Sequence, residues 1–119
     1  MLVQPKFGFL LEYVTDIEAA KRFYVDVLGL KVERVAPTFV QFSQFAIASD
    51  ESLSGERRPE QYWLVEDAEQ AFKQLSPKAE LVFPLKQMPF GKVFGLKDPA
   101  GEIMFLIEMA QNRPSQAVV

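Results

Sequence analysis

The chain has 119 residues, of which 49% are apolar, a formal net charge of −3, and neither Cys nor His. A chain of this size removes about two-thirds of its unfolded surface from water on folding, so we expect one domain with a substantial core. The missing residue types exclude disulfides, thiolate nucleophiles and imidazole ligands or bases, and the acidic balance argues against nucleic-acid binding.

The first fourteen residues, MLVQPKFGFLLEYV, contain an apolar run that Glu12 interrupts. This run is too short for a signal peptide or a membrane-spanning helix. We therefore expect a cytoplasmic protein with no membrane partner. The segment FGFLLEYV predicts the first strand.

Residues 16 to 28 predict an amphipathic helix. Thr15 or Asp16 is its expected N-cap and Gly29 its expected stop. Glu18 and Arg22 add a charge pair at i,i+4 spacing. The apolar stripe at helical spacing consists of Ile17, Ala20, Phe23, Tyr24, Val27 and Leu28.

Three short strand-like runs follow this helix, and the same order of elements then occurs again. The runs are LKVERVA, TFVQFS and QFAIAS, followed by the polar linker DESLSGERRPE. The second half consists of the strand QYWLVE, a helix that Asp67 caps and Pro77 ends, and the strands ELVFPLK, KVFGLK and EIMFLIEM. MPFG and DPAG are the expected turns, so PFGKVFG is interpreted as a hairpin and not as a phosphate loop.

The two helical segments match at a fixed offset of 51 positions, as in Asp16 and Asp67 or Arg22 and Lys73. The sequence therefore predicts an α+β fold in which two βαβββ modules form a curved mixed sheet with helices on its outer face. We place the first module at about residues 7–49, the linker at 50–59, the second module at 60–109 and a polar, frayed tail at 110–119. Pairing of the modules within one chain and exchange between two chains both remain open.

Two motifs are similar to those of the vicinal oxygen chelate superfamily, which includes glyoxalases, bleomycin-resistance proteins and extradiol dioxygenases. The first motif consists of Val14, Asp16, Phe23, Tyr24, Leu28, Gly29 and Leu30, and the second of Gly91, Asp98, Pro99 and Gly101. The resemblance extends over residues 7 to 109. Both motifs are signatures of the fold, so they imply the architecture and not the chemistry.

The resemblance also implies where metal ligands would stand. These positions fall on Phe9, on Phe105, near Glu60 and near residues 46 to 48, which are Ala, Ile and Ala. At most one of them offers a donor, whereas a divalent ion needs three or four. We therefore predict no metal and no other cofactor.

Strand alternation instead predicts a cup lined by aromatic and aliphatic side chains. The proposed ligand-binding residues are Phe9, Leu11, Tyr13, Glu60, Tyr62, Ile103, Phe105 and Ile107. For Phe9 and Phe105 two roles remain open, which are lining a ligand pocket and filling the core. For Tyr13 and Tyr62 the alternatives are a pocket and an ordinary interface or surface position. Glu60 fits a partner of a cationic ligand, a general base or, as the commoner alternative, a solvated carboxylate. Trp63 is expected on the opposite strand face, against a helix.

These features favour a metal-independent protein that sequesters an aromatic or apolar small molecule, as the resemblance to bleomycin-resistance proteins implies, and that forms a homodimer. One alternative is a glyoxalase-like lyase or isomerase, or a dioxygenase, with an atypical site. A further alternative is a partner or regulatory subunit whose cup is filled by its own side chains.

Overall fold

The computed structural model describes residues 4–110, and residues 111–119 of the predicted polar tail lie outside them. The described residues contain, in chain order, β1 (Lys6–Tyr13), α1 (Ile17–Arg22), a π-helical turn (Phe23–Val27), β2 (Arg34–Ala36), β3 (Phe39–Gln41), β4 (Phe45–Ala48), β5 (Glu60–Leu64), α2 (Ala68–Leu75), a 3-10 turn (Ser76–Lys78), β6 (Leu81–Met88), β7 (Gly91–Lys97) and β8 (Ile103–Met109). This order confirms the predicted α+β fold with two βαβββ modules. Across residues 4–110, no helix has the length and apolar character that a bilayer crossing needs.

The described residues divide into two compact units. The N-terminal unit contains residues 9–60, and the C-terminal unit contains residues 4–8 and 61–110. Strand β1 contributes residues to both units, because the division falls between Gly8 and Phe9.

The N-terminal unit has the strand order β2-β3-β4-β1. Its sheet is mixed, because β1 and β4 are parallel while β2, β3 and β4 are antiparallel to their neighbours. Val40, Phe42 and Ile47 form the buried core, against which Ile17 and Tyr24 pack. The helical segment thus covers one face of this sheet.

Helix α1 begins as predicted but ends differently. The Asp16 carboxylate accepts a hydrogen bond from the Ala19 N–H at 3.0 Å, which confirms Asp16 as the N-cap. From Phe23 the chain forms a π-helical turn, in which the Leu28 N–H bonds to the Phe23 carbonyl oxygen at 3.4 Å.

This ending changes the predicted apolar stripe. Phe23, Val27 and Leu28 are 48%, 66% and 54% exposed. Phe23 stands at the outer edge of a stripe with a period of 3.6 residues, the wider turn after it moves Val27 off that stripe, and Leu28 is the C-cap residue of the turn. Only the first part of the stripe therefore reaches the core.

The C-terminal unit has the strand order β5-β8-β7-β6. It is also mixed, with β5 and β8 parallel and the pairs β7–β8 and β6–β7 antiparallel. Trp63 packs, as predicted, against the core beneath α2. That core consists of Val65, Ala68, Ala71, Phe94, Leu96 and Leu106.

Helix α2 follows its prediction closely. The Asp67 carboxylate accepts a hydrogen bond from the Gln70 N–H at 3.1 Å, as an N-cap does. The α-helix ends at Leu75, and the chain passes through the 3-10 turn that contains Pro77. Pro77 therefore lies two residues beyond the end of the α-helix, where its missing N–H cannot continue the helical hydrogen bonds.

The two glycine-containing turns explain the second sequence motif. The hairpin between β6 and β7 is confirmed, and a side chain at Gly91 would collide with the Glu108 carbonyl oxygen. In the DPAG turn, the Asp98 carboxylate accepts hydrogen bonds from the N–H groups of Ala100 and Glu102, both at 2.9 Å. The motif residues therefore shape turns.

Candidate functional site

In the N-terminal unit, three of the proposed ligand-binding residues follow one another along β1. Leu11 pairs with Ala46 and Tyr13 with Ala48 in the parallel β1–β4 ladder. Phe9 and Leu11 are 4% and 6% exposed, and Tyr13 is half-buried. The ring of Phe9 lies edge-on to that of Phe39, with centroids 5.8 Å apart. This part of the predicted face is therefore apolar and largely covered.

Glu60 is buried, with 4% of its surface exposed. The expectation of a solvated carboxylate is therefore wrong. The Tyr13 hydroxyl donates to one carboxylate oxygen at 2.7 Å, and the Ser54 N–H donates to the other at 3.1 Å. Hydrogen bonds to an ionised acceptor are stronger than neutral ones, and they compensate for the loss of water around the charge. Glu60 thus ties the linker that contains Ser54 to the end of β1.

In the C-terminal unit, Tyr62 and Phe105 are neighbours on the parallel strands β5 and β8. Their rings stack at 18° with centroids 5.1 Å apart. Phe83 of β6 meets Phe105 edge-on, with centroids 5.7 Å apart and an angle of 77°. We call Tyr62, Phe105 and Phe83 the aromatic row. Offset stacking and edge-to-face packing are the favoured geometries of aromatic pairs.

Burial differs along the aromatic row. Phe105 and Tyr62 are 0% and 3% exposed, whereas Phe83 is half-buried. The other proposed residues of β8 differ in the same way, since Ile107 is 1% exposed and Ile103 is half-buried. Phe83 and Ile103 are therefore the accessible apolar members of this group.

Gly95 makes room for the aromatic row. It pairs with Phe105 on one side and Phe83 on the other. A Cβ atom on Gly95 would lie 3.0 Å from the Phe83 Cβ and 3.3 Å from the Phe105 Cε1 atom. Because such contacts are tighter than normal packing permits, a side chain here would displace one of the rings.

Sequence reasoning missed Phe83, Gly95 and Lys86. The Lys86 Nζ atom lies 6.0 Å from the centroid of the Phe83 ring, at the outer limit of a cation–π contact. Strand β6 changes its register against β7 on both sides of Phe83. Simple alternation therefore could not assign these side chains to a face. The glycine inside a predicted strand was the available signal, because it indicates close approach of another group.

The implied metal positions do not fit a divalent ion. Phe9 and Phe105 offer phenyl rings, residues 46–48 offer only alkyl groups, and both oxygens of Glu60 accept hydrogen bonds from the protein. Within residues 4–110, no three acidic side chains form a group that could hold a metal ion. A cation needs several oxygen, nitrogen or sulfur donors around it, and these positions do not supply them.

The order of helices and strands defines the class of fold, which consists of two βαβββ modules in one chain. The model of the Glyoxalase/Bleomycin resistance protein/Dioxygenase superfamily matches residues 6–105. The chain belongs to this superfamily. A search of the curated proteins gave no match.

Solved structures share this fold at low sequence identity. NAD-dependent benzaldehyde dehydrogenase from Legionella pneumophila is 22% identical, with a TM-score of 0.75 over 87% of this chain and 99% of that one. A superfamily member from Vibrio splendidus 12B01 is 19% identical, with a TM-score of 0.62 over 90% and 99%. Homoprotocatechuate 2,3-dioxygenase from Arthrobacter globiformis is 15% identical, with a TM-score of 0.54 over 95% of this chain and 38% of that one. At these identities the likeness shows the fold alone.

Proposed function

We propose that the protein binds a flat aromatic or apolar small molecule without the help of a metal ion. The observation that carries the proposal is the aromatic row, since Phe105 stands at an implied metal position, stacks on Tyr62 and meets Phe83 edge-on. The superfamily match supports the proposal, because it identifies the fold that would carry such a site. Ligand sites in proteins are mostly apolar, with a few polar groups that orient the ligand.

The differences in burial suggest where the ligand lies. Phe105 and Tyr62 act as a rigid floor, because they are already buried in the protein. Phe83 and Ile103, which are half-buried, have surface left to cover. A planar ligand against these two side chains would bury apolar area, which contributes roughly 25 cal/mol per Å². Lys86 stands beside Phe83 and is exposed, so it is suited to a polar group at the ligand's edge.

The remaining predicted residues have supporting roles in this proposal. Phe9 and Leu11 are almost fully covered within the N-terminal unit, and Ile107 is covered on the same strand as Phe105 in the C-terminal unit. Tyr13 and Glu60 hold the linker in place through their 2.7 Å hydrogen bond. Because the carboxylate of Glu60 already accepts two hydrogen bonds, we assign it a structural role and no role in ligand chemistry.

Native mass spectrometry of the purified protein is the first test, because one spectrum reports subunit number, bound metal and any retained small molecule. We expect an organic adduct, no metal and the homodimer predicted from the resemblance. A stoichiometric divalent metal would overturn the metal-free proposal.

Thermal unfolding with a panel of aromatic ligands is the second test, since a ligand that binds the native state raises its stability. Phe83→Leu should abolish the stabilisation that a ligand gives to the parent protein. Phe90→Leu is the matched control, because Phe90 is 39% exposed in the β6–β7 turn and lies outside the aromatic row. Equal stabilisation of both variants would place the ligand elsewhere, and no stabilisation by any ligand would remove the main support for binding.

One observation favours an enzyme as the second candidate. The Tyr13 hydroxyl and Glu60 carboxylate form a phenol–carboxylate pair at 2.7 Å, an arrangement that can move a proton. Glyoxalase-like lyase or isomerase activity would then depend on Glu60. Turnover of a hemithioacetal or a catechol that Glu60→Gln abolishes would rank this candidate first.

A further inference from the structure

The sheet of the C-terminal unit has one face toward α2 and one face that carries the aromatic row. The first face packs against α2 through Phe94, Leu96 and Leu106 of the buried core. Side chains alternate along a strand, so Gly95 and Phe105, which are next to these residues in sequence, belong to the other face. We call this second face the aromatic face.

Lys86 belongs to the aromatic face. It pairs with Val93 on β7, and Val93 pairs with Ile107 on β8, so these three residues form a row across the sheet. The aromatic row crosses β7 at Gly95, two residues further along and therefore about 7 Å away. The register of β6 shifts between Phe83 and Lys86, so both share a face although they are three positions apart. The distance of 6.0 Å between the Lys86 Nζ atom and the centroid of the Phe83 ring agrees with this assignment.

The ammonium group of Lys86 has no anionic partner in the described part of the chain. The side chain is exposed and forms neither an ion pair nor a hydrogen bond with any described residue. The two lysines of β7 differ, since Lys92 pairs with Glu69 at 3.2 Å and Lys97 with Glu80 at 3.7 Å. Lys86 is therefore free to bind an anion from outside the protein.

Strands β6, β7 and β8, all of which the structure describes, place no acidic side chain on the aromatic face. Their one acidic residue, Glu108, lies on the side of α2, where its carboxylate accepts a hydrogen bond from the Ala68 N–H. Glu60 begins β5 but belongs to the N-terminal unit, and its two oxygens accept hydrogen bonds from Tyr13 and Ser54. The aromatic face thus combines apolar side chains with one unpaired cation.

We propose that the ligand of the aromatic face is an aromatic carboxylate, whose ring lies against Phe83 and whose carboxylate binds the Lys86 ammonium group. This proposal rests on the proposed function and narrows it from any flat aromatic molecule to an anion. A charge beside an apolar surface attracts the opposite charge more strongly than it would in water, because less water separates the two. Lys86 would repel a cationic aromatic molecule, although the whole chain has a net charge of −3.

A lysine on an edge strand also has a common role that involves no ligand. Strand β6 is the last strand of the sheet, and charged side chains on such strands prevent pairing with other sheets. A lysine with only this role does not distinguish between ligands of different charge. The charge of the ligand is therefore the variable to test.

Three planar probes of nearly the same shape but different charge test the proposal. They are the carboxylate, the carboxamide and the carboxamidine of benzene, and the same three derivatives of naphthalene, which are negative, neutral and positive at neutral pH. Their affinities for the full chain are measured by isothermal titration calorimetry. We expect the carboxylate to bind most tightly and the carboxamidine most weakly in each series.

Variants of Lys86 should change this order. Lys86→Gln should weaken binding of the carboxylate about three- to tenfold, because it removes a charge-assisted hydrogen bond at a partly exposed position. It should change the affinity for the carboxamide less than about twofold. Lys86→Arg keeps the charge and should preserve the preference for the carboxylate.

Lys73→Gln is the matched control. Lys73 is exposed on α2, which packs against the other face of the sheet, and the substitution changes the net charge by the same amount. It should leave all affinities as they are in the parent protein.

Each outcome other than the expected one would overturn the proposal in a distinct way. Equal affinity for the three charges would refute the preference for an anion and leave the proposed function intact. No binding of any probe would remove the proposed function as well. A preference for the carboxylate that K86Q retains, or that K73Q loses to the same extent, would show that Lys86 is not its source.

Discussion

At Glu60, a carboxylate that follows a polar linker is buried, and one distant and one nearby part of the chain supply its hydrogen bonds. Tyr13 lies 47 positions away, and its hydroxyl reaches the first oxygen, while Ser54 of the linker reaches the second. The local sequence contains no sign of this, since polar, Gly- and Pro-containing segments are usually solvated. Glu60 is therefore buried and not solvated as expected, because the folded chain brings the Tyr13 hydroxyl to it.

Removing the Glu60 charge should destabilise the protein. Glu60→Gln replaces one accepting oxygen by an amide nitrogen, so both charge-assisted hydrogen bonds become neutral and the Tyr13 hydroxyl must accept where it now donates. We expect a loss of about 1–3 kcal/mol in the free energy of unfolding, measured by urea denaturation. Glu56→Gln is the control, because Glu56 forms only an exposed pair with Arg58 and should cost less than about 0.5 kcal/mol. Equal losses in the two variants would contradict the buried role.

Tyr24 gives a prediction about alkaline pH. Burial, the charge of Glu12 and the hydrogen bond that the hydroxyl donates to Glu12 at 3.2 Å raise the pKa of Tyr24 above its ordinary value. A raised pKa means that the native state keeps a proton that the unfolded state releases, so stability falls as pH rises above the unfolded value of about 10. Tyr24→Phe should therefore lose less stability than the parent between about pH 9 and about pH 11. Identical losses, measured by urea denaturation at both pH values, would contradict this assignment.

Among the elements, the two helices show how far local signals extend. Both begin at the predicted Asp, because a capping side chain needs only the N–H groups that follow it in the chain. Their ends differ, since α2 passes into the 3-10 turn that contains Pro77 while α1 widens into a π-helical turn. Periodicity assumes a constant 3.6 residues per turn and cannot detect such a change.

The beginning of α2 has a second cap that comes from another element. The Glu108 carboxylate on β8 accepts a hydrogen bond from the Ala68 N–H at 2.9 Å. This contact satisfies a helix N–H group that Asp67 does not reach. The helix start is thus fastened both by its own sequence and by the sheet.

Loss of either cap should weaken the protein measurably. Asp67→Ala removes the acceptor for the Gln70 N–H and should cost roughly 1 kcal/mol in the free energy of unfolding. Glu108→Ala should cost a similar amount by leaving the Ala68 N–H unsatisfied. Glu66→Ala serves as the control, since the exposed Glu66 directly precedes the cap and should have little effect. Denaturation midpoints that do not separate Asp67→Ala from Glu66→Ala would refute the capping role.

At the scale of the whole molecule, the side chains at the implied metal positions determine whether added metal ions should change the stability of the protein. The implied ligand positions carry phenyl and alkyl groups, and the carboxylate of Glu60 is occupied by protein donors. A specifically bound metal ion raises stability only when it binds the native state more tightly than the unfolded state.

We therefore expect the midpoint of thermal unfolding to stay the same with a chelator and with added Zn²⁺, Ni²⁺ or Mn²⁺. The parent protein without additions is the reference. A clear rise with one ion, reversed by the chelator, would show that the chain holds a metal at positions other than those implied.

Much of the fold could be predicted from the order of residues alone. Apolar periodicity, capping Asp residues, turn glycines and the 51-residue repeat are local or repeated signals, and they led to the βαβββ modules and to the superfamily. Strand alternation assigned Tyr62 and Phe105 to the lining of the predicted cup, and the structure pairs them on the neighbouring strands β5 and β8. Their roles in binding stay a prediction.

The tertiary structure decided the features that depend on distant contacts. It buried Glu60 against Tyr13, placed Phe83 edge-on to Phe105 through a strand with shifted register, and left Phe23, Val27 and Leu28 exposed where α1 widens into a π-helical turn. The physical reason is the separation along the chain over which each effect acts. Helix capping and apolar periodicity depend on residues a few positions apart. Burial, ring packing and the hydrogen bonds of a carboxylate depend on groups that folding brings together from distant parts of the chain.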